Sequence, residues 1–150
     1  MKIRELMTRD PDVLTPDATV GEAARLMRKL DVGIIPVVDD PATNRLQGVI
    51  TDRDITIRHV AEDHAEDCPV SDHMTVEVRT VPSGESHHDV MRAMRSAKVR
   101  RVPVVDEDGR LVGIVSQADL AVDTGPQERD EVTETLETVS QPARPERAPR

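Results

Sequence analysis

The sequence predicts an α/β (α+β) protein made of two copies of one strand–helix–strand–strand–helix unit, followed by a flexible C-terminal tail. Three observations carry that expectation. The first is an internal repeat about 67 residues apart: Ile35-Pro36-Val37-Val38-Asp39 returns as Val102-Pro103-Val104-Val105-Asp106, and Gly48 to Asp54 (GVITDRD) returns as Gly113 to Asp119 (GIVSQAD). A repeat of this period marks a supersecondary unit used twice. The second is that Met7-Thr8 and Met27 return as Met74-Thr75 and Met94, so the correspondence spans the whole unit. The third is a switch within each copy between helical spacing of apolar residues and continuous apolar runs bounded by turn residues.

The elements follow in order. Residues 1–6 suit a short helical turn before Met7-Thr8. Val13-Leu14-Thr15 reads as a short strand ended by Pro16-Asp17. Thr19 with Glu22 three residues on forms a capping box, and Ala23, Ala24, Leu26, Met27 and Leu30 then recur with a helical period. Gly33 to Val38 is a continuous apolar run, as a buried strand requires, and Pro36 marks an edge or irregularity in it. Pro41 to Asn44 turns the chain into the strand Leu46–Ile50, and Thr51-Asp52 opens a helix reaching about Val60. An acidic, histidine-bearing connector occupies 61–69. The order then repeats: a strand within Val76–Val81, a helix over Ser86–Ala97, strands Arg101–Val105 and Leu111–Val115 around an Asp-Glu-Asp-Gly turn, and a helix from Ser116 to about Val122. This divides the chain into a first repeat (1–60), the connector (61–69), a second repeat (70–122) and an acidic, then Pro/Arg-rich, segment (123–150) expected to be largely disordered. Within that last segment Val132, Leu136 and Val139 share a helical face, so a weak amphipathic helix competes with a solvated tail.

Composition narrows the functions. Two units of about 55–60 residues each sit near the lower limit for independent stability, so they are expected to bury their faces against each other. A net charge of -9 and a pI of about 5.0 argue against nucleic-acid and anionic-membrane partners. Aromatic residues are absent, so a planar ligand must be held by aliphatic walls and backbone, and aromatic platforms for single strands are excluded. The single cysteine, Cys68, permits no intrachain disulfide. With no apolar leader and no run of about 18 apolar residues, a cytoplasmic location is expected.

The chemistry-bearing feature is the repeated Gly-apolar-apolar-Thr/Ser-x-x-Asp unit. Its hydroxyl, Thr51 or Ser116, falls where a strand ends and a helix begins, beside amide protons that attract phosphate. Asp54 or Asp119 lies one turn further, and an ionised carboxylate can accept both hydroxyls of a ribose. The competing reading is that these residues only cap their helices. Occurrence in two copies, each beside an apolar-Pro-Val-Val-Asp strand, favours a pair of sites.

These motifs, in this order and twice over, resemble a tandem pair of CBS domains, the Bateman module. The resemblance covers residues 7 to about 122. Thr51-Asp52-Arg53-Asp54-Ile55 and Arg100-Arg101-Val102-Pro103-Val104 look like the small stand-alone bacterial CBS-pair proteins, including the actinobacterial hypoxic-response type. The resemblance implies repeats related by an approximate two-fold axis, with two clefts that bind an adenosine-containing ligand such as AMP, ADP, ATP or S-adenosylmethionine. It assigns ribose to Asp54 and Asp119, and phosphate to Thr51, Arg53, Ser116, Arg100 and Arg101. The base wall falls to Thr15, Ile35, Thr80 and Val102. It also implies a homodimer signalling to a protein effector. The copies differ: Gly33-Ile34 stand where the second has Arg100-Arg101, and Asp52 would repel phosphate in the first unless Arg53 or a metal ion offsets it. The cleft with Ser116, Asp119, Arg100 and Arg101 is therefore expected to be the better anion site, unless the arginines only pair with surface carboxylates.

No catalytic residues, resident cofactor or metal site are expected. His59, His64, Cys68 and His73 are spaced His-x4-His-x3-Cys-x4-His, which matches no zinc pattern. His87 and His88 are expected to be exposed, and Met27, Met91 and Met94 to fill core. The leading function is a regulatory ligand-binding module. The alternative is a dimeric scaffold with empty or vestigial clefts, and a nucleotide-processing enzyme is least supported.

Overall fold

The computed structural model describes residues 1–142. Residues 143–150, part of the expected tail, lie outside the described residues. The elements are α1 (Ile3–Leu6), β1 (Thr8–Arg9), α2 (Val20–Leu30), β2 (Ile34–Val38), β3 (Leu46–Thr51), α3 (Asp52–Asp54), β4 (Val81–Pro82), α4 (His87–Ala97), β5 (Arg101–Val105), β6 (Leu111–Ser116), α5 (Gln117–Asp123) and α6 (Arg129–Ser140). α3 runs on directly as a π-helix, Ile55–Val60. Among the described residues, no helix is long and apolar enough to cross a membrane.

Each repeat is built on an antiparallel strand pair, β2–β3 in the first and β5–β6 in the second. Val37 lies opposite Gly48 and Val104 opposite Gly113, with a register shift just after each pair. The helices start where the capping residues place them. The Thr19 amide donates to Glu22 Oε2 at 2.9 Å, and Glu22 N donates to Thr19 Oγ1 at 3.1 Å. α2 ends at Asp31 in the left-handed region, as α4 ends at Lys98, so the two copies terminate their long helices in the same way.

The repeats exchange their leading segments. β1, near the start of the first repeat, pairs with β6 of the second, giving a sheet ordered β1-β6-β5-β4. The corresponding Thr75, near the start of the second repeat, pairs with Val49 of the first, donating and accepting at 2.9 Å. This crossing explains the repeated glycines. A Cβ on Gly48 would overlap the carbonyl oxygen of Thr75, and one on Gly113 would stand 2.5 Å from Met7 Sδ and 2.9 Å from the Thr8 carbonyl oxygen. The strand face must stay bare where the other repeat's segment passes over it.

Two aliphatic cores result. One gathers Val20, Ala23, Met27, Ile35, Val37, Ile50 and Val70 under α2. The larger one gathers α4 and β4–β6 with Ile3 and Leu6 from α1, and with Val132 and Val139 from α6. Met27, Met91 and Met94 are buried, as core filler should be.

Three expectations need correcting. Val13–Thr15 and Val76–Val81 are not full strands: Leu14 makes an isolated parallel bridge to Val37, and only Val81–Pro82 pair in the second copy. Pro11 and Pro16 flank the first segment, and 63 % of Val76 stays in solvent, so little apolar burial holds either segment in a ladder. The tail starts later than expected. Residues 129–140 of the segment 123–150 form α6, because Val132, Thr135 and Val139 have the α4 surface to bury against. Arg95 of α4 donates to Thr135 Oγ1 at 2.8 Å and pairs with Glu131 at 3.4 Å. His87 is buried, not exposed: its Nδ1 lies 2.8 Å from the Met1 carbonyl oxygen and its Nε2 2.7 Å from Glu128. His88 is exposed, beside Glu131. In the connector, His59 and His73 are buried, and burial, then repulsion from His59 and His64, holds His73 below the ordinary imidazole range.

Candidate functional site: an inter-repeat cleft at Ser116 and Asp119

The strand-end hydroxyls and the aspartates do meet, once in each repeat. In the first, Thr51 N donates to Asp54 Oδ2 at 3.1 Å and Asp54 N donates to Thr51 Oγ1 at 2.9 Å. In the second, Ser116 N and Ser116 Oγ donate to Asp119 Oδ2 at 2.7 and 2.8 Å, and Asp119 N donates to Ser116 Oγ at 3.2 Å. Both pairs are therefore capping boxes. Capping does not exhaust them, because their surroundings differ.

At Ser116 the chain leaves a cavity of about 320 Å³ between the repeats. Ser116, Asp119, Ile114 and Arg101 line it from the second repeat, and Leu30, Val32 and Ile34 to Pro36 from the first. Thr8, Pro11 and Asp12 of the leading segment complete it. The exchanged β1 is what brings these groups together: it lies along β6, so residues 8–12 reach the mouth of the cleft. Most of the wall is apolar, and Thr8, Asp12, Arg101, Ser116 and Asp119 are its polar groups, a common pattern for a small-molecule site. All the internal bonds to Asp119 fall on Oδ2; among the described residues Oδ1 takes none. Among the described residues Arg101 makes no ion pair, so the alternative in which it serves only a surface carboxylate does not describe it.

At Asp54 the groups are already engaged. The carboxylate is buried, the Thr75 hydroxyl donates to it at 3.3 Å, and Arg58 Nε lies 3.8 Å away. Thr75 is the residue that the crossing segment delivers, so the exchange that brings Thr8 to one cleft sets a hydroxyl against the carboxylate of the other. Sequence reasoning missed Thr75 and Arg58; the signal was present in the repeated Met-Thr pair, whose partner across the repeat could not be read locally.

The remaining predicted residues divide accordingly. Ile35 lines the cavity. Val102 is fully buried in the larger core, paired with Val115. Thr15 donates its hydroxyl to Asp17, and Thr80 lines a separate hollow of about 190 Å³ with Gly48 and Val105. Arg53 is exposed. Arg100 is exposed beside Arg101 and is absent from the cavity lining; its carbonyl oxygen accepts from Gln117 N at 2.9 Å. That bond engages the first amide of α5. The Gln117 amide goes to Arg100 and the Asp119 amide to Ser116, so Arg101 is the principal cation facing the cavity.

Residues 3–59 and 70–122 each match the CBS domain. The chain belongs to the CBS-domain family. Its fold is similar to that of Hypoxic Response Protein I, whose crystal structure holds two coordinated zinc ions, with a TM-score of 0.76 and 32% identity over 83% of this chain and 100% of that one. It is also similar to CBSX2 in complex with AMP, with a TM-score of 0.69 and 29% identity over 80% of this chain and 93% of that one. The CBS pair of protein MJ0100, in complex with 5'-methylthioadenosine and S-adenosylmethionine, gives a TM-score of 0.71 and 27% identity over 81% of this chain and 93% of that one. The tandem CBS architecture expected from the repeat is therefore the architecture of the chain.

Proposed function

We propose that this chain is a non-enzymatic regulatory module that binds one adenosine-containing ligand in the Ser116–Asp119 cleft and signals by a change of arrangement between its repeats. The observation that carries the reading is the cavity itself. The Asp119 carboxylate, the Ser116 hydroxyl and Arg101, which makes no ion pair among the described residues, line it from one repeat, and Leu30, Val32, Ile34 and Ile35 line it from the other. Asp119 Oδ1 suits the ribose hydroxyls, Arg101 suits a phosphate, and Ile34 and Ile35 suit a purine face. Adenosine is the part shared by the ligands held by CBSX2 and the CBS pair of MJ0100. A volume of about 320 Å³ is at the small end of ligand sites, which favours a mononucleotide or a nucleoside derivative over a dinucleotide.

The ligand touches both repeats, so its differential affinity for two arrangements of them biases whatever the module contacts, a second copy or a protein effector in the cytoplasm. Isothermal titration with AMP, ATP and S-adenosylmethionine tests this. Binding of one ligand per chain, weakened in Asp119→Ala and retained in Asp54→Ala, is the expected result. No heat with any of the three, or equal losses in the two variants, would sink the proposal.

A further inference from the structure

The connector brings together four side chains that the nucleotide reading does not use. His59 lies on the π-helix that ends the first repeat, and His73 follows the short 3-10 turn, Val70–Asp72, that opens the second. Both are buried, and His59 Nδ1 stands 3.2 Å from His73 Nε2. Cys68 Sγ joins them, with one ligand atom from each of the three residues within 4.8 Å of the others. His64 closes the group: its Nδ1 is 3.9 Å from Cys68 Sγ, and its ring centre is 4.9 Å from that of His73 and 5.9 Å from that of His59.

The 3.2 Å between His59 and His73 is the separation found in a tetrahedral metal shell, and the 3.9 Å between Cys68 and His64 is a few tenths of an ångström longer than one. Imidazole nitrogens about 2.0–2.1 Å and a thiolate about 2.3 Å from one zinc ion are separated by roughly 3.3 Å for N–N and 3.6 Å for N–S. We propose that His59, His64, Cys68 and His73 bind a single zinc ion that pins the connector across the junction of the two repeats. Three imidazoles and one thiolate suit zinc better than calcium or magnesium, which take oxygen ligands. Four protein ligands close the shell, so the site is structural and leaves no position for substrate. The turn that follows the π-helix keeps two of the histidines close: His64 N donates to the His59 carbonyl oxygen at 3.2 Å, five residues back, and the two ring centres lie 5.9 Å apart. The other histidine cluster is different in kind, since both His87 nitrogens already face the Met1 carbonyl oxygen and Glu128.

The site also lies next to Asp54 and its contacts. Arg58, one residue before His59, donates to the His73 carbonyl oxygen at 3.2 Å and to that of Met74 at 3.3 Å, and Thr75 follows directly against Asp54. A metal holding His59 to His73 thereby holds Thr75 in place. The inference does not depend on adenosine binding, and its test uses no nucleotide.

The full chain, loaded with zinc and dialysed, is expected to retain one zinc per chain by elemental analysis and to melt at a higher temperature than the chelated protein. Cobalt(II) in place of zinc is expected to give tetrahedral visible bands and a thiolate charge-transfer band. Cys68→Ser removes the charge-transfer band. Losing a group that only orients a metal ligand already costs about 10–100-fold in affinity, so His64→Asn, which removes a direct ligand at an exposed position, is expected to weaken cobalt binding by at least about tenfold. His88→Gln, the control, leaves binding unchanged. Zinc lost on dialysis, a cobalt complex without thiolate absorption, or His64→Asn and Cys68→Ser proteins that are folded by circular dichroism yet bind cobalt as tightly as the parent would overturn the proposal.

Discussion

Replacing Gly48 by alanine strikes the point where the second repeat's leading segment crosses the first repeat. The new Cβ would overlap the Thr75 carbonyl oxygen, a backbone atom that no rotamer change can move aside. Forcing a methyl group into such a contact costs about 1–3 kcal/mol. The pair of 2.9 Å bonds between Val49 and Thr75 is displaced with it, and each such bond contributes about 0.5–1.5 kcal/mol. The effects overlap, so a loss of about 2–4 kcal/mol is expected, enough to lower a urea midpoint by about 1–2 M for a protein of this size. Two other glycines calibrate the result. Gly113→Ala meets a movable Met7 side chain as well as the Thr8 carbonyl oxygen, and is expected to cost about 1–2 kcal/mol. Gly84→Ala meets nothing within 4 Å and is expected to change stability by no more than about 0.5 kcal/mol. A Gly48→Ala midpoint equal to that of Gly84→Ala would refute the exchanged-segment account of the repeated glycines.

Three further outcomes are expected. Arg101→Ala should weaken AMP binding by at least about tenfold, as the loss of a charge-assisted contact of about 1.5–3 kcal/mol would require, while Arg53→Ala leaves the calorimetric affinity unchanged. Val132→Ala removes two methyl groups' worth of buried surface between α6 and α4 and should cost about 1.5–2.5 kcal/mol in urea unfolding, whereas a solvated tail would show no change. Asp89 is held below the usual carboxylate range by hydrogen bonds from the Ser86 side chain and backbone. Its contribution to stability is therefore present above an unfolded-state pKa of about 3.9 and is lost as pH falls through the lower folded-state value. Asp89→Asn should flatten that part of the acid unfolding curve; an unchanged acid limb would contradict the assignment.

Much of the fold could be read in the chain because the repeat shows each signal twice. The capping boxes at Thr19, Thr51 and Ser116, and the paired apolar strands, are local patterns, and local hydrogen bonds realise them. What could not be read was non-local. Nothing near Thr75 says that it pairs with Val49, nor near Thr8 that it pairs with Ile114. For that reason the asymmetry between the clefts was sought in Gly33-Ile34 against Arg100-Arg101, whereas Thr75 and Arg58 at Asp54 also separate them. The helix over Arg129–Ser140 was ambiguous for the same reason: three apolar positions become decisive only once α4 offers a surface. The connector's spacing hid a cluster that folding assembles from a π-helix and a 3-10 turn.

The central claim is that the two repeats carry unequal clefts and that the one at Ser116 and Asp119 takes the ligand. A crystal structure grown with saturating AMP measures this directly. The account predicts the ribose on Asp119, the phosphate beside Arg101 and the purine between the repeats near Ile34 and Ile35, with Thr75 still bonded to Asp54. AMP seated at Thr51 and Asp54 with the Ser116 cleft empty would contradict it.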